Sequence, residues 1–138
     1  MTQPNAQGFD PTEIFSRFAM RAVNSATFDT HVINPTGSEL RCVFFWGHDC
    51  YNCDRFKNTA LMLEPQLKAL DIEWYHANVY EDPALGQRFG LHGIPAFVFY
   101  RSGKRLGRIS GWPGLPQFSQ AVQRLHTQHA EEQSGTKS

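Results

Sequence analysis

The sequence predicts an α/β domain with helices packed on a central sheet, and three observations carry that expectation. Segments with helical apolar spacing alternate with short runs of β-formers from residue 11 to residue 129. The run 40–46 (Leu-Arg-Cys-Val-Phe-Phe-Trp) is short and mostly apolar, as a strand buried on both faces must be. Towards the end, a turn at 101–104 joins two strand-like runs, and an amphipathic stretch follows them. At 138 residues the chain suits one domain able to bury a single core. We place that domain at 19–129, after a polar leader over 1–18 that carries a short helix, and before a disordered tail over 130–138.

The leader's helix spans 11–18, where Asp10 is positioned to cap it, Pro11 suits its first turn, and Ile14, Phe15 and Phe18 share a face. A short strand follows at 20–23. Ser25 or Thr27 then caps a helix that passes Phe28 and Val32 and stops before Pro35. After the turn 36–38 comes the central strand, broken by Gly47-His48-Asp49. The next helix opens near Cys50, and Phe56, Ala60, Leu63, Leu67 and Leu70 mark its apolar face. Pro65 falls inside that pattern and divides or kinks the helix after Leu63. A strand at 72–79, a short helix from Asp82-Pro83 to Phe89 and a loop at 90–93 lead to the strand 96–100. The return strand 105–110 and a helix over 115–129, with Phe118, Val122 and Leu125 inward, complete the order.

Thirteen basic and thirteen acidic residues cancel, so no global field draws the chain to nucleic acid or a membrane. No apolar run approaches the roughly 20 residues of a membrane span. The first eight residues lack the basic and apolar regions of a secretory signal, which sets the expectation of a cytoplasmic protein. Three cysteines, an odd number, do not make a disulfide framework. Cys42 reads as a small buried hydrophobe within its strand.

Cys50 and Cys53 stand two residues apart where a strand turns into a helix. Free backbone N–H groups and the positive end of the helix dipole favour a thiolate at the first position. The second lies one turn further in, where it can close a ring with the first; such a pair carries thiol–disulfide exchange. Structural zinc is the competing reading of the spacing. It needs two more ligands, and neither Cys42 nor His31, His48, His76, His92, His126 and His129 forms a second knuckle.

The order of motifs resembles the thioredoxin family over roughly 20–129. Thr27-Phe28-Asp29-Thr30-His31-Val32 is similar to that family's first helix, and Val43-Phe44-Phe45-Trp46 to its strand before the active site. Gly93-Ile94-Pro95 resembles its signature loop, Ser102-Gly103-Lys104 its hairpin turn, and Gly111 its glycine after the last strand. The resemblance implies the thioredoxin fold, with a central mixed sheet flanked by helices. It also implies Cys50 as nucleophile, Cys53 as resolving thiol and Pro95 as a cis-proline that brings the backbone of Ile94 beside the sulfurs to pair with substrate. The activity implied is reduction of protein disulfides with no bound cofactor or metal, electrons coming from a separate thiol/disulfide reductase. The expected partners are disulfide-bearing proteins met by a monomer, with neither nucleic acid nor membrane. The alternative is a thioredoxin-like interaction module with little turnover.

The departures from the family pattern bear on poise and substrate range. Asp49 stands at the family's tryptophan position, and Tyr51-Asn52 replaces Gly-Pro. Phe44 aligns with the buried aspartate that assists the resolving cysteine, and His76 roughly with that acid's lysine partner. Asp49 has two readings: a carboxylate that raises the Cys50 pKa, or a helix cap turned to solvent. His48 supplies compensating charge or lies exposed in its loop. His76 is a proton acceptor near Cys53 or a plain strand histidine. Trp46 packs beneath the site, contacts substrate, or does both. Trp112, after the last strand, is either an exposed substrate contact or a cover over the hairpin.

Overall fold

The apolar run around residue 43 forms strand β2 (Arg41–Trp46), the centre of a five-stranded sheet in the computed structural model, which describes residues 10–135. On one side β3 (Glu73–Asn78) pairs with it in parallel, Phe44 opposite His76; on the other β4 (Ala96–Arg101) pairs antiparallel, Phe45 opposite Ala96. The two-residue β1 (Arg21–Ala22) lies parallel outside β3, and β5 (Lys104–Ser110) antiparallel outside β4. The sheet is therefore mixed, in the order β1-β3-β2-β4-β5. Flanked on both sides and covered on both faces, β2 and β4 are apolar apart from the buried Arg41 and Arg101 at one end of each, and their side chains are buried along nearly their whole length.

Alternation along β2 divides the core. Cys42 and Phe44 face a cluster shared with α1 (Glu13–Arg17), α2 (Tyr51–Met62), α3 (Glu64–Lys68) and α5 (Leu115–Gly135). Val43 and Phe45 face the other layer, built on α4 (Pro83–Arg88) and a π-helical turn (Asp29–Ile33). Leu63 leaves the helical region between α2 and α3, and Pro65 sits in the first turn of α3, where its missing N–H removes no bond. The break after Leu63 follows from that.

Four details differ from the sequence expectation. The helix of the leader is shorter, since Asp10 Oδ1 accepts the Thr12 N–H at 3.0 Å and holds a turn ahead of Glu13. Yet Ile14 and Phe18 of that segment are buried in the core, so the folded unit begins well before residue 19. Neither Ser25 nor Thr27 caps the next segment: Asn24 Oδ1 accepts from the N–H groups of Ala26 and Thr27, and the segment closes as a π-helical turn with Asn34 N–H on Asp29 O. Last, α5 continues to Gly135 instead of fraying at residue 130. Glu131, Glu132 and Gln133 are good helix formers, and Ser134 Oγ–H donates back to Ala130 O. The expectations for 1–9 and 136–138 fall outside the described residues. Among the described residues no helix is long and apolar enough to cross a membrane.

Candidate active site

Strand β2 ends at Trp46, and the chain must then turn sharply to start α2. Gly47 is buried in this turn; a Cβ there would lie 2.8 Å from Ile94 Cδ1 and 2.9 Å from the Tyr80 ring, so only glycine fits without moving them. Asp49 follows in the left-handed region with φ 53°, a conformation that aspartate tolerates better than most side chains. Its exposed carboxylate does not cap α2. The cap is Cys50, in extended backbone, whose Sγ accepts the Cys53 N–H at 3.1 Å. The helix N-terminus thus aims one of its free N–H groups at the first sulfur.

The sulfurs of Cys50 and Cys53 are joined, with Cα atoms 5.2 Å apart. Cys50 is half-buried and Cys53 is fully buried. One sulfur can be reached from outside while its partner is shielded, as an attacking and a resolving thiol require.

Pro95 reaches the same place from the adjacent strand, just ahead of β4. The pairing of Phe45 with Ala96 sets Pro95 beside Trp46, at the end of β2 from which the cysteine turn departs. The Ile94-Pro95 peptide bond is cis, Pro95 is buried, and its carbonyl accepts the Gly111 N–H at 2.8 Å. Ile94 is half-buried against Gly47. A surface groove lined by Val79, Tyr80, Leu91, His92, Gly93 and Ile94 opens from this loop.

Beneath the sulfurs the core is aromatic. Phe44 packs edge-on to Phe56 at 4.8 Å and stacks on Phe97 at 5.5 Å, filling the space opposite His76 with no acid. His76 accepts the Trp46 Nε1–H on Nδ1 at 3.1 Å and stacks on Phe15 at 3.8 Å. Burial, reinforced by the nearby Lys57 ammonium, lowers its pKa to about 4, so the ring is neutral near pH 7. With Nδ1 taken by the indole, the remaining ring proton sits on Nε2.

The other residues singled out in sequence spread apart. His48 is exposed, its Nε2 3.2 Å from Asn78 Nδ2 and 3.7 Å from Glu81. Tyr51 is 77% exposed, and Asn52, also exposed, accepts from Arg55. Trp46 is half-buried and packs beneath the site, its ring 5.4 Å from that of Phe15. Trp112 is buried instead of presented to substrate: it lies 4.8 Å from Phe56 and 5.3 Å from Phe118, because the segment after β5 folds back over the aromatic core. Cys42 is wholly buried, and burial pushes its thiol pKa well up. Among the described residues no three His, Cys, Asp or Glu side chains gather where they could hold a metal ion. Lys57, whose side chain is 6% exposed, does not stand out in the sequence as a site residue. Its signal there is that a lysine four residues after Cys53 interrupts the apolar face of α2.

The family model described as Thioredoxin matches residues 19–124. Thioredoxin f2 of Chlamydomonas reinhardtii superposes with a TM-score of 0.64 at 15% identity, over 76% of this chain and 94% of that one. Thioredoxin of Fasciola hepatica superposes with a TM-score of 0.62 at 24% identity, over 76% and 98%. Thioredoxin of Malassezia sympodialis does so with a TM-score of 0.61 at 18% identity, over 76% and 91%.

Proposed function

The chain belongs to the thioredoxin family and is a thiol–disulfide oxidoreductase, and from that premise we propose that it reduces protein disulfides through a Cys50/Cys53 dithiol–disulfide cycle. The Cys50 thiolate attacks one sulfur of a substrate disulfide, the other leaves as a thiolate, and a mixed disulfide remains. Cys53 then attacks Cys50 Sγ, the second substrate sulfur leaves, and the protein holds the Cys50–Cys53 bond. A separate dithiol reductase returns two electrons. The substrate strand lies along the groove at Ile94 and pairs with the backbone beside Pro95. The setting is the cytoplasm and the acting unit a monomer.

The observation that carries the reading is the asymmetric pair, a reachable Cys50 at the helix mouth joined to a sealed Cys53. The surroundings of Cys50 support the direction. Strong oxidants owe their potential to a stabilised thiolate in the reduced form. Here the chain neighbours of Cys50 are a carboxylate, Asp49, and the neutral, exposed Tyr51, which favours a reducing poise. Dithiothreitol-coupled insulin reduction is expected to be catalysed, and Cys50→Ser to abolish it. The reduction potential is expected near the roughly −270 mV of a reducing thioredoxin. A value around −150 mV would refute the direction, and a Cys50→Ser variant as active as wild type would refute the nucleophile.

A further inference from the structure

Lys57 lies four residues after Cys53, so both side chains leave the same face of α2 one turn apart. Its ammonium rests 4.3 Å from the centroid of the Trp46 ring and 5.4 Å from that of Phe15. Among the described residues the one carboxylate within ion-pair reach is that of Asp54, at 4.0 Å on a side chain 55% exposed. The elements packed around it offer little else. On β3 stands the neutral His76, and on β2 Trp46. From α1 comes Phe15, while Glu13 and Arg17 are exposed and pair with each other at 3.6 Å. Burial pushes the lysine pKa down, and Asp54 opposes that in smaller part. A cation removed from water and so loosely matched gains from any further negative charge nearby. The group on its own helix face that becomes anionic during exchange is the thiol of Cys53.

We propose that Lys57 is a positioning residue for disulfide exchange, its ammonium stabilising the Cys53 thiolate one helical turn away. The proposal rests on the Cys50/Cys53 cycle but not on its direction. Once the mixed disulfide has formed, the Cys53 thiol loses a proton, balanced by the one the departing substrate sulfur later takes up, and its thiolate attacks Cys50 Sγ. The bond from Cys50 to the substrate breaks, and the departing substrate thiolate takes up a proton. Lys57 keeps its own protons and the positive charge throughout. It thereby supplies, from the helix, the electrostatic help that the phenylalanine at position 44 cannot give.

The test follows the reaction of reduced protein with 5,5′-dithiobis(2-nitrobenzoate) by stopped flow at pH 5–10. One nitrothiobenzoate anion appears when Cys50 attacks the reagent and a second when Cys53 expels the first adduct; buried Cys42 stays silent. In Lys57→Met the inflection of the second phase is expected to rise by about one pH unit. A higher pKa also makes a better nucleophile, so the rate at pH 7 falls only about threefold while the alkaline plateau rises. Lys57→Arg keeps the wild-type inflection, and the first phase is unchanged in both. Packing loss alone would not shift the inflection or make the profiles cross. A second phase in Lys57→Met that titrates as in wild type overturns the proposal while leaving the cycle intact. Absence of any second phase in wild type removes the cycle and the proposal with it. If Lys57→Met does not fold, Lys57→Gln is read in the same way.

Discussion

Acid should destabilise this protein through His76 before it reaches the carboxylates. The unfolded ring protonates near 6.5 and the folded ring near 4. Between those values the unfolded chain binds more protons, so the stability present above pH 6.5 is lost as pH falls toward 4. At 1.36 kcal/mol per pKa unit the full shift corresponds to about 3 kcal/mol, of which about 2 kcal/mol is gone by pH 5. Solvent at the open ring edge trims the loss at pH 5 to about 1.5 kcal/mol. The cause is local: a protonated ring must give up the Trp46 Nε1–H bond and place a second cation beside Lys57. The reference is His76→Asn, whose side-chain oxygen can still accept from Trp46 but does not titrate. Calorimetry on the oxidised forms of both chains is expected to show wild type losing about 5 °C more than the variant between pH 8 and pH 5. The other five histidines are common to both and cancel in the difference. Parallel melting curves across that range would show that burial does not hold His76 neutral.

Three further outcomes follow from the packing. Phe44→Ala should lower stability by about 3–5 kcal/mol in urea unfolding, because it opens a cavity between Phe56 and Phe97 with nothing to refill it. Trp112→Ala should cost a similar amount, about 3–5 kcal/mol, yet leave the KM for insulin unchanged; a raised KM with an unchanged melting temperature would return Trp112 to the substrate surface. The oxidised native protein should show no thiol reactive to nitrothiobenzoate reagent and one after unfolding, since its free cysteine, Cys42, is buried at mid-strand; fast native reaction would contradict that burial.

Much of this arrangement could be read along the chain because it depends on near neighbours. The apolar run of β2, the division of the long helix at Pro65 and the Cys-x-x-Cys pair at a strand–helix junction are patterns a few residues long, and each needs only local geometry to have its meaning. Their order, from the first helix to Gly111, was enough to identify the family and its fold. What the order could not convey is the surroundings that distant segments assemble. Ile14 and Phe18 belong to the core because α1 closes against α2, and Trp112 is interior because the chain after β5 folds back onto Phe56. His76 is neutral because Phe15, Trp46 and Lys57, from three other elements, meet around it. Burial and charge stabilisation are sums over every atom within several ångströms, and those atoms come from all parts of the chain; a motif can name the two sulfurs, but the environment that tunes them exists only after folding.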